Sequence, residues 1–117
     1  MNIEFDNFRP IYIQIVEQLK IAIASGKYQC GEKLPVVRNL ANDFKVNPNT
    51  VQRAFMELEN EKLVYTDRTN GRYVTNDKKL IEKLKLELAK EKIDEFLNHM
   101  HNLGINNKEI IDYLKTK

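Results

Sequence analysis

Cysteine occurs once in this 117-residue chain, at position 30, and tryptophan not at all. A single thiol excludes an intrachain disulfide and fits a reducing compartment. No apolar run reaches the length of a membrane span. The opening Met1-Asn2-Ile3-Glu4-Phe5-Asp6 lacks the basic stretch and long apolar run of a secretory leader, so the expected location is cytoplasmic. Charge of one sign is scarce too: 19 basic residues against 17 acidic leave a net +2. Bulk charge therefore does not draw the protein to a polyanion, and any grip on phosphate has to come from local placement of Arg and Lys. There is no Gly-rich phosphate loop and no nucleophile elbow. No set of convergent acid and base groups stands out, so no catalytic residue, enzyme activity or cofactor is expected. His99 and His101 lie two apart, which on a helix points them roughly 200° from each other, and no metal site is expected.

Hydrophobic residues make up 42% of the chain, enough to build a core. Residues 1–9 read as extended, with Phe5 and Phe8 available to pack on the body of the domain. Pro10 opens a first helix. Tyr12, Ile15, Val16, Leu19, Ala22 and Ile23 share one face at helical spacing, while Gln14, Glu17, Gln18 and Lys20 fall largely outside it. Ser25-Gly26 ends that helix, since glycine accepts the left-handed conformation that closes one. Lys27 to Leu34 reads as a connector. A second helix runs from about Val36 to Phe44, with Val37, Leu40, Ala41 and Phe44 facing the core. Lys45-Val46 then leads straight into Asn47. Two short helices joined by so tight a turn form a helix-turn-helix, with Val46 plugging the turn.

Asn47 is placed to cap a third helix, and Pro48 stands at its first position, where a missing N–H costs nothing. That helix runs to about Asn60-Glu61. Val51, Ala54, Phe55 and Leu58 form its buried stripe. Its opening turns present Asn49, Thr50, Gln52 and Arg53, which offer amide, hydroxyl and guanidinium groups suited to base edges and phosphates. Asn49 and Gln52 suit adenine, and Arg53 suits phosphate. Glu57, Glu59 and Glu61 would be repelled by phosphate, so only the N-terminal end can enter a groove. Arg38, in the first turn of the second helix, is placed to hold a phosphate. Leu63 to Thr66 and Arg72 to Thr75 read as two strands, joined by Asp67 to Gly71, with Asn70-Gly71 as a hairpin signal. Arg68 and Arg72 would flank the hairpin tip and could enter a minor groove. The expected double-stranded DNA surface thus comprises Arg38, Asn47, Asn49, Thr50, Gln52, Arg53, Arg68, Asn70, Gly71 and Arg72.

From Pro10 to Val74 the sequence resembles the DNA-binding domain of the GntR family of bacterial transcription regulators. The resemblance rests on Pro10-Ile11-Tyr12 with Gln14-Ile15, on Ile23-Ala24-Ser25-Gly26, and on Gly31-Glu32-Lys33-Leu34-Pro35-Val36-Val37-Arg38. It continues through Leu40-Ala41, Val46-Asn47-Pro48-Asn49-Thr50-Val51, Ala54, Leu58-Glu59 and Gly71-Arg72-Tyr73-Val74. It implies a winged helix-turn-helix with DNA contacts from Arg38, Asn49, Thr50, Gln52 and the wing around Gly71. The chain also departs from the family. Pro48 and Gln52 stand where many members carry Arg, and Thr69 stands at the wing's usual first Gly. Lys62 replaces the Gly that often ends the third helix, and so has to enter the left-handed region. Val36 replaces a small hydroxyl residue, removing a cap.

Asn76-Asp77 closes the wing. From Lys78 to about Asn102 there is neither Gly nor Pro, and Leu80, Ile81, Leu84, Leu88, Ile93, Phe96, Leu97 and Met100 mark an apolar side. At about 1.5 Å per residue such a helix exceeds roughly 30 Å. Gly104 ends it, and Asn106 or Asn107 caps a last helix with Ile110, Ile111 and Leu114 facing inward. Two helices cannot enclose a ligand cavity of roughly 300 Å³ or more. Pairing with the same helices of a second chain would bury their stripe. The expected architecture is therefore mainly α with a small β-hairpin. A winged helix-turn-helix over residues 1–75 is followed by a two-helix dimerisation region over residues 76–117. The short tail and the Asn-Pro-Asn-Thr-Val-Gln core resemble the YtrA-type subfamily. That resemblance implies a homodimeric repressor of an operon for a transporter or envelope function, acting at a pseudo-palindromic operator. A winged-helix module that docks a protein partner is the alternative.

Overall fold

The computed structural model describes residues 3–117. Along them run α1 (Ile11–Ala24), α2 (Val37–Phe44), α3 (Pro48–Asn60), β1 (Val64–Asp67), β2 (Gly71–Val74), α4 (Lys78–Asn102) and α5 (Asn107–Leu114). The architecture is mostly helical with one small antiparallel hairpin. The chain divides into two compact units, one ending at Lys85 and the other running from Leu86 to Lys117, so the boundary falls inside α4.

In the first unit, α3 packs against α1, α2 and β1. Its stripe of Val51, Ala54, Phe55 and Leu58 is fully buried. Around it lie Ile15, Leu19 and Ile23 of α1, Leu40 of α2, Leu63 just before β1, and Val74 of β2. Each large apolar side chain so buried contributes about 1.5–3 kcal/mol, so the stripe anchors α3 and leaves its other face free to be polar. Two of the helix ends rely on lysine in the left-handed region. Lys62 follows α3 with φ 64°, as the missing glycine requires, and Lys45 follows α2 with φ 57°. In both places the next residue's N–H reaches back along the helix, Val46 to the Ala41 carbonyl and Leu63 to the Leu58 carbonyl, each at 3.0 Å. This six-to-one bond satisfies carbonyls that the helix end would strand, which offsets the left-handed strain.

Gln14 departs from the sequence expectation. It is buried, with 4% of its surface exposed. Its amide donates to the backbone oxygens of Asp6 (3.1 Å) and Arg9 (2.9 Å) and accepts from the Asp6 N–H (2.9 Å). A buried amide is stable only when its hydrogen bonds are met, and here they fasten the leading segment to α1. Phe5 packs edge-on against Phe44, whereas Phe8 is 94% exposed and takes no part in the core.

The connector before α2 also has more structure than its sequence suggests. Lys33 bridges Tyr73, the Leu34 N–H donates to the Arg72 carbonyl at 2.8 Å, and the Val74 N–H donates to the Glu32 carbonyl at 2.9 Å. The far edge of β2 is thereby covered. The hairpin strands pair as expected but each lies one residue closer to the tip, over Val64–Asp67 and Gly71–Val74. Val64 pairs with Val74 and Asp67 with Gly71, which leaves Arg68, Thr69 and Asn70 as the loop. Asp67 organises that loop: Oδ1 accepts from the Thr69 N–H (3.0 Å) and the Thr69 hydroxyl (2.9 Å). These bonds, the backbone one foremost, hold the Asp67 carboxyl below its ordinary pKa. A side-chain turn of this kind lets Thr69 serve where a glycine is usual.

In the second unit, α4 ends at a left-handed Gly104 (φ 81°), with the Ile105 N–H bonded to the Met100 carbonyl at 3.0 Å. Asn106 then caps α5 reciprocally. Its Oδ1 accepts from the Glu109 N–H at 2.9 Å, and the Glu109 carboxylate accepts from the Asn106 N–H at 3.2 Å.

Candidate nucleic-acid interface

The start of α3 is fixed from within. Asn47 Oδ1 accepts from the Asn49 N–H at 2.8 Å, and Pro48 occupies the first helical position. The cap engages the Asn47 side-chain oxygen and leaves Asn49, Gln52 and Arg53 exposed on the outer face, with Thr50 half-buried beside them. The Arg53 guanidinium lies 3.8 Å from the centre of the Tyr12 ring. That contact holds a long cationic side chain against α1 and aims its charge without an ion pair. Arg38 is exposed at the second residue of α2. Val36 makes no side-chain cap there, so no capping side chain competes with an anion for the positive start of α2.

Between the start of α2, α3 and the wing lies an open groove of about 250 Å³, lined in part by Val36, Val37, Gln52, Arg68, Gly71 and Arg72. The fold thus brings Gln52, Arg68, Gly71 and Arg72 together, although they are far apart in sequence. Arg68 is exposed at the wing tip, while the Asn70 amide turns back to Asp67 at 3.4 Å. Arg72 stands near the tip as its position in the sequence suggests, next to Gly71 in β2, but its side chain turns away from it. Its side chain folds over α3, where Nε donates to Glu59 at 2.7 Å and Nη1 to Gln52 at 3.3 Å. Two participants escape sequence reasoning. Lys33 joins the wing through its pairing with Tyr73, and its Cε lies so close to Gly71 that a Cβ there would stand 3.3 Å from it. Glu59, which reads as a repelled acid, is the partner of both Arg72 and Thr66.

The apolar positions of the tail divide by exposure. Leu84 and Ile110 are buried, and Leu80, Ile81, Leu88, Leu97 and Met100 are half-buried. Ile93, Phe96, Ile111 and Leu114 are exposed, and so are Leu86, Leu103 and Tyr113, which the periodic pattern leaves out. No helix among the described residues is long and apolar enough to cross a membrane.

A helix-turn-helix with a polar α3 start and a flanking hairpin defines a winged-helix DNA-binding domain. Residues 11–74 match the family described as "Bacterial regulatory proteins, gntR family". The chain belongs to that family and is a transcriptional regulator with a DNA-binding winged helix. It is 36% identical over 107 residues to the HTH-type transcriptional repressor YtrA of Bacillus subtilis, covering 91% of this chain and 82% of that protein. This similarity supports the YtrA-type subfamily. A GntR family transcriptional regulator from Listeria monocytogenes has a similar structure, with a TM-score of 0.87 and 44% identity over 97% of this chain and 99% of that one. The solved structure of AraR(DBD) in complex with operator ORE1 matches with a TM-score of 0.57 and 26% identity, over 62% of this chain and 89% of that one.

Proposed function

We propose that the protein is a homodimeric repressor that binds a pseudo-palindromic operator. Residues 1–75 read DNA and residues 76–117 dimerise. The observation that carries this reading is the exposed polar group on α3, Asn49, Gln52 and Arg53, with Gln52 sharing a groove with Arg68 of the wing and Arg38 exposed on the first turn of α2. Arg38, Arg53 and Arg68 grip phosphates. Asn49, Thr50 and Gln52 face base edges in a major groove, and the wing lies over the adjacent minor groove. Repression is supported by likeness to a protein named a repressor, and operator binding by likeness to a domain solved on its operator. The regulated genes are an operon for a transporter or envelope function, and the site of action is the cytoplasm. The exposed apolar residues of α4 and α5 supply the two-fold contact.

Salt dependence separates this reading from a protein-docking winged helix. On DNA from its own upstream promoter, a dimer neutralising about six phosphates should lose about a thousandfold in affinity between roughly 50 and 200 mM salt. Binding that is absent, or indifferent to salt, would favour the protein-docking module.

A further inference from the structure

We propose that Arg72 is a positioning residue that sets which way the Gln52 amide faces, and hence which base edge Gln52 reads. The inference rests on the DNA-reading role proposed above. Three contacts clamp the Arg72 guanidinium. Nε donates to Glu59 Oε1 at 2.7 Å, Cζ lies 4.8 Å from the centre of the Phe55 ring, and Nη1 donates to Gln52 Oε1 at 3.3 Å. Glu59 is held in turn, because the Thr66 hydroxyl donates to the same oxygen at 2.7 Å. Desolvation works to raise the Glu59 pKa, but the bonds from Arg72 and Thr66 outweigh it, so the carboxyl sits below its ordinary value and is charged at neutral pH. Phe55 is fully buried and the Arg72 side chain only 18% exposed, so the clamp is built on the core. A long side chain that would otherwise sample many rotamers is held in one place.

The consequence for Gln52 follows from donor chemistry. A guanidinium has five N–H donors and no acceptor. The side of the amide that faces Arg72 is therefore the carbonyl oxygen, and the amino group turns the other way. A free glutamine amide suits adenine, since it donates to N7 and accepts from the N6 amino group. With its oxygen held by Arg72, Gln52 presents hydrogens. Those match guanine, where N7 and O6 both accept, or thymine O4, whereas adenine would set its N6 amino group against another donor. Arg72 shapes base choice in this way without touching DNA.

Selection of bound sequences from random DNA tests the proposal with the full chain as wild type, Gln52→Ala, Arg72→Met and Arg72→Lys. Gln52→Ala identifies the base position that Gln52 reads, as the one where preference disappears. Wild type should prefer guanine or thymine there. Arg72→Met keeps an apolar stem over Phe55 but removes every donor, and should shift that position alone toward adenine by about fivefold or more. Arg72→Lys, still a pure donor, should keep the wild-type preference. Should Arg72→Met fail to fold by circular dichroism, Glu59→Gln loosens the clamp from its other end and should give a smaller shift at the same position. The proposal is overturned by a wild-type preference for adenine there, or by variants that leave that position unchanged. It is overturned equally by an Arg72→Met that weakens all sequences evenly and flattens the salt dependence, which is the mark of a phosphate contact. A wild-type protein that enriches no sequence fails the DNA-reading role itself, a result distinct from these.

Discussion

Phe96→Asp is expected to convert the protein from dimer to monomer in sedimentation and to weaken operator binding by about a hundredfold or more. Phe96 is 45% exposed on α4, and Ile93, Ile111, Tyr113 and Leu114 of the same unit are each more than half exposed. Only Ile110 is buried among the apolar side chains of residues 86–117. Apolar surface left in water forgoes about 25 cal/mol per Å², and a two-fold contact removes the same patch from water on both chains at once. An aspartate placed within that contact would have to lose its water without a partner charge, which costs several kcal/mol. Operator affinity falls with it because two tethered half-site readers bind far more tightly than one. The first unit should keep its cooperative melt, since its core lies in other residues. A Phe96→Asp protein that remains dimeric with full affinity would show that this face is not the interface.

Arg38→Ala and Gln52→Ala should each weaken operator binding by about tenfold or more, with stability changed by no more than about 0.5 kcal/mol because both side chains are exposed. Their signatures should differ. Arg38→Ala should reduce binding to all sequences alike and lower the salt slope by about one for each phosphate left without its arginine. Gln52→Ala should reduce binding only where the base it reads is present. Fluorescence anisotropy over a salt series measures both, and unchanged affinity in the two variants would refute the contact assignment.

Much of the fold is legible in the sequence because it is written in period and punctuation. Val51, Ala54, Phe55 and Leu58 announce a helix face, Asn47-Pro48 its start, and the missing glycine at Lys62 a strained end that the structure confirms. What periodicity does not carry is partnership. Gln14 reads as a solvent residue because nothing local reveals that Asp6 and Arg9 turn their backbone groups toward it. The strand-like pairing of Lys33 depends on β2, which lies much later in the chain. Lys45 adopts the left-handed region with no missing glycine to advertise it. The same limit applies to the candidate interface. Asn49, Gln52 and Arg38 are recognisable by type and position, but the clamp of Glu59, Thr66 and Arg72 joins α3 to the hairpin and has no linear signature. In the tail, the sequence marks one apolar stripe. Only the folded chain separates Leu84 and Ile110, which are buried, from Ile93 and Phe96, which are exposed.

Sequences enriched by the wild-type protein from random DNA test the central claim most directly. Two inverted half-sites, centred about one helical turn apart, are the predicted result for a dimer that places one α3 in each of two successive major grooves. Enrichment of no sequence, or of a single half-site without its inverted repeat, would contradict it.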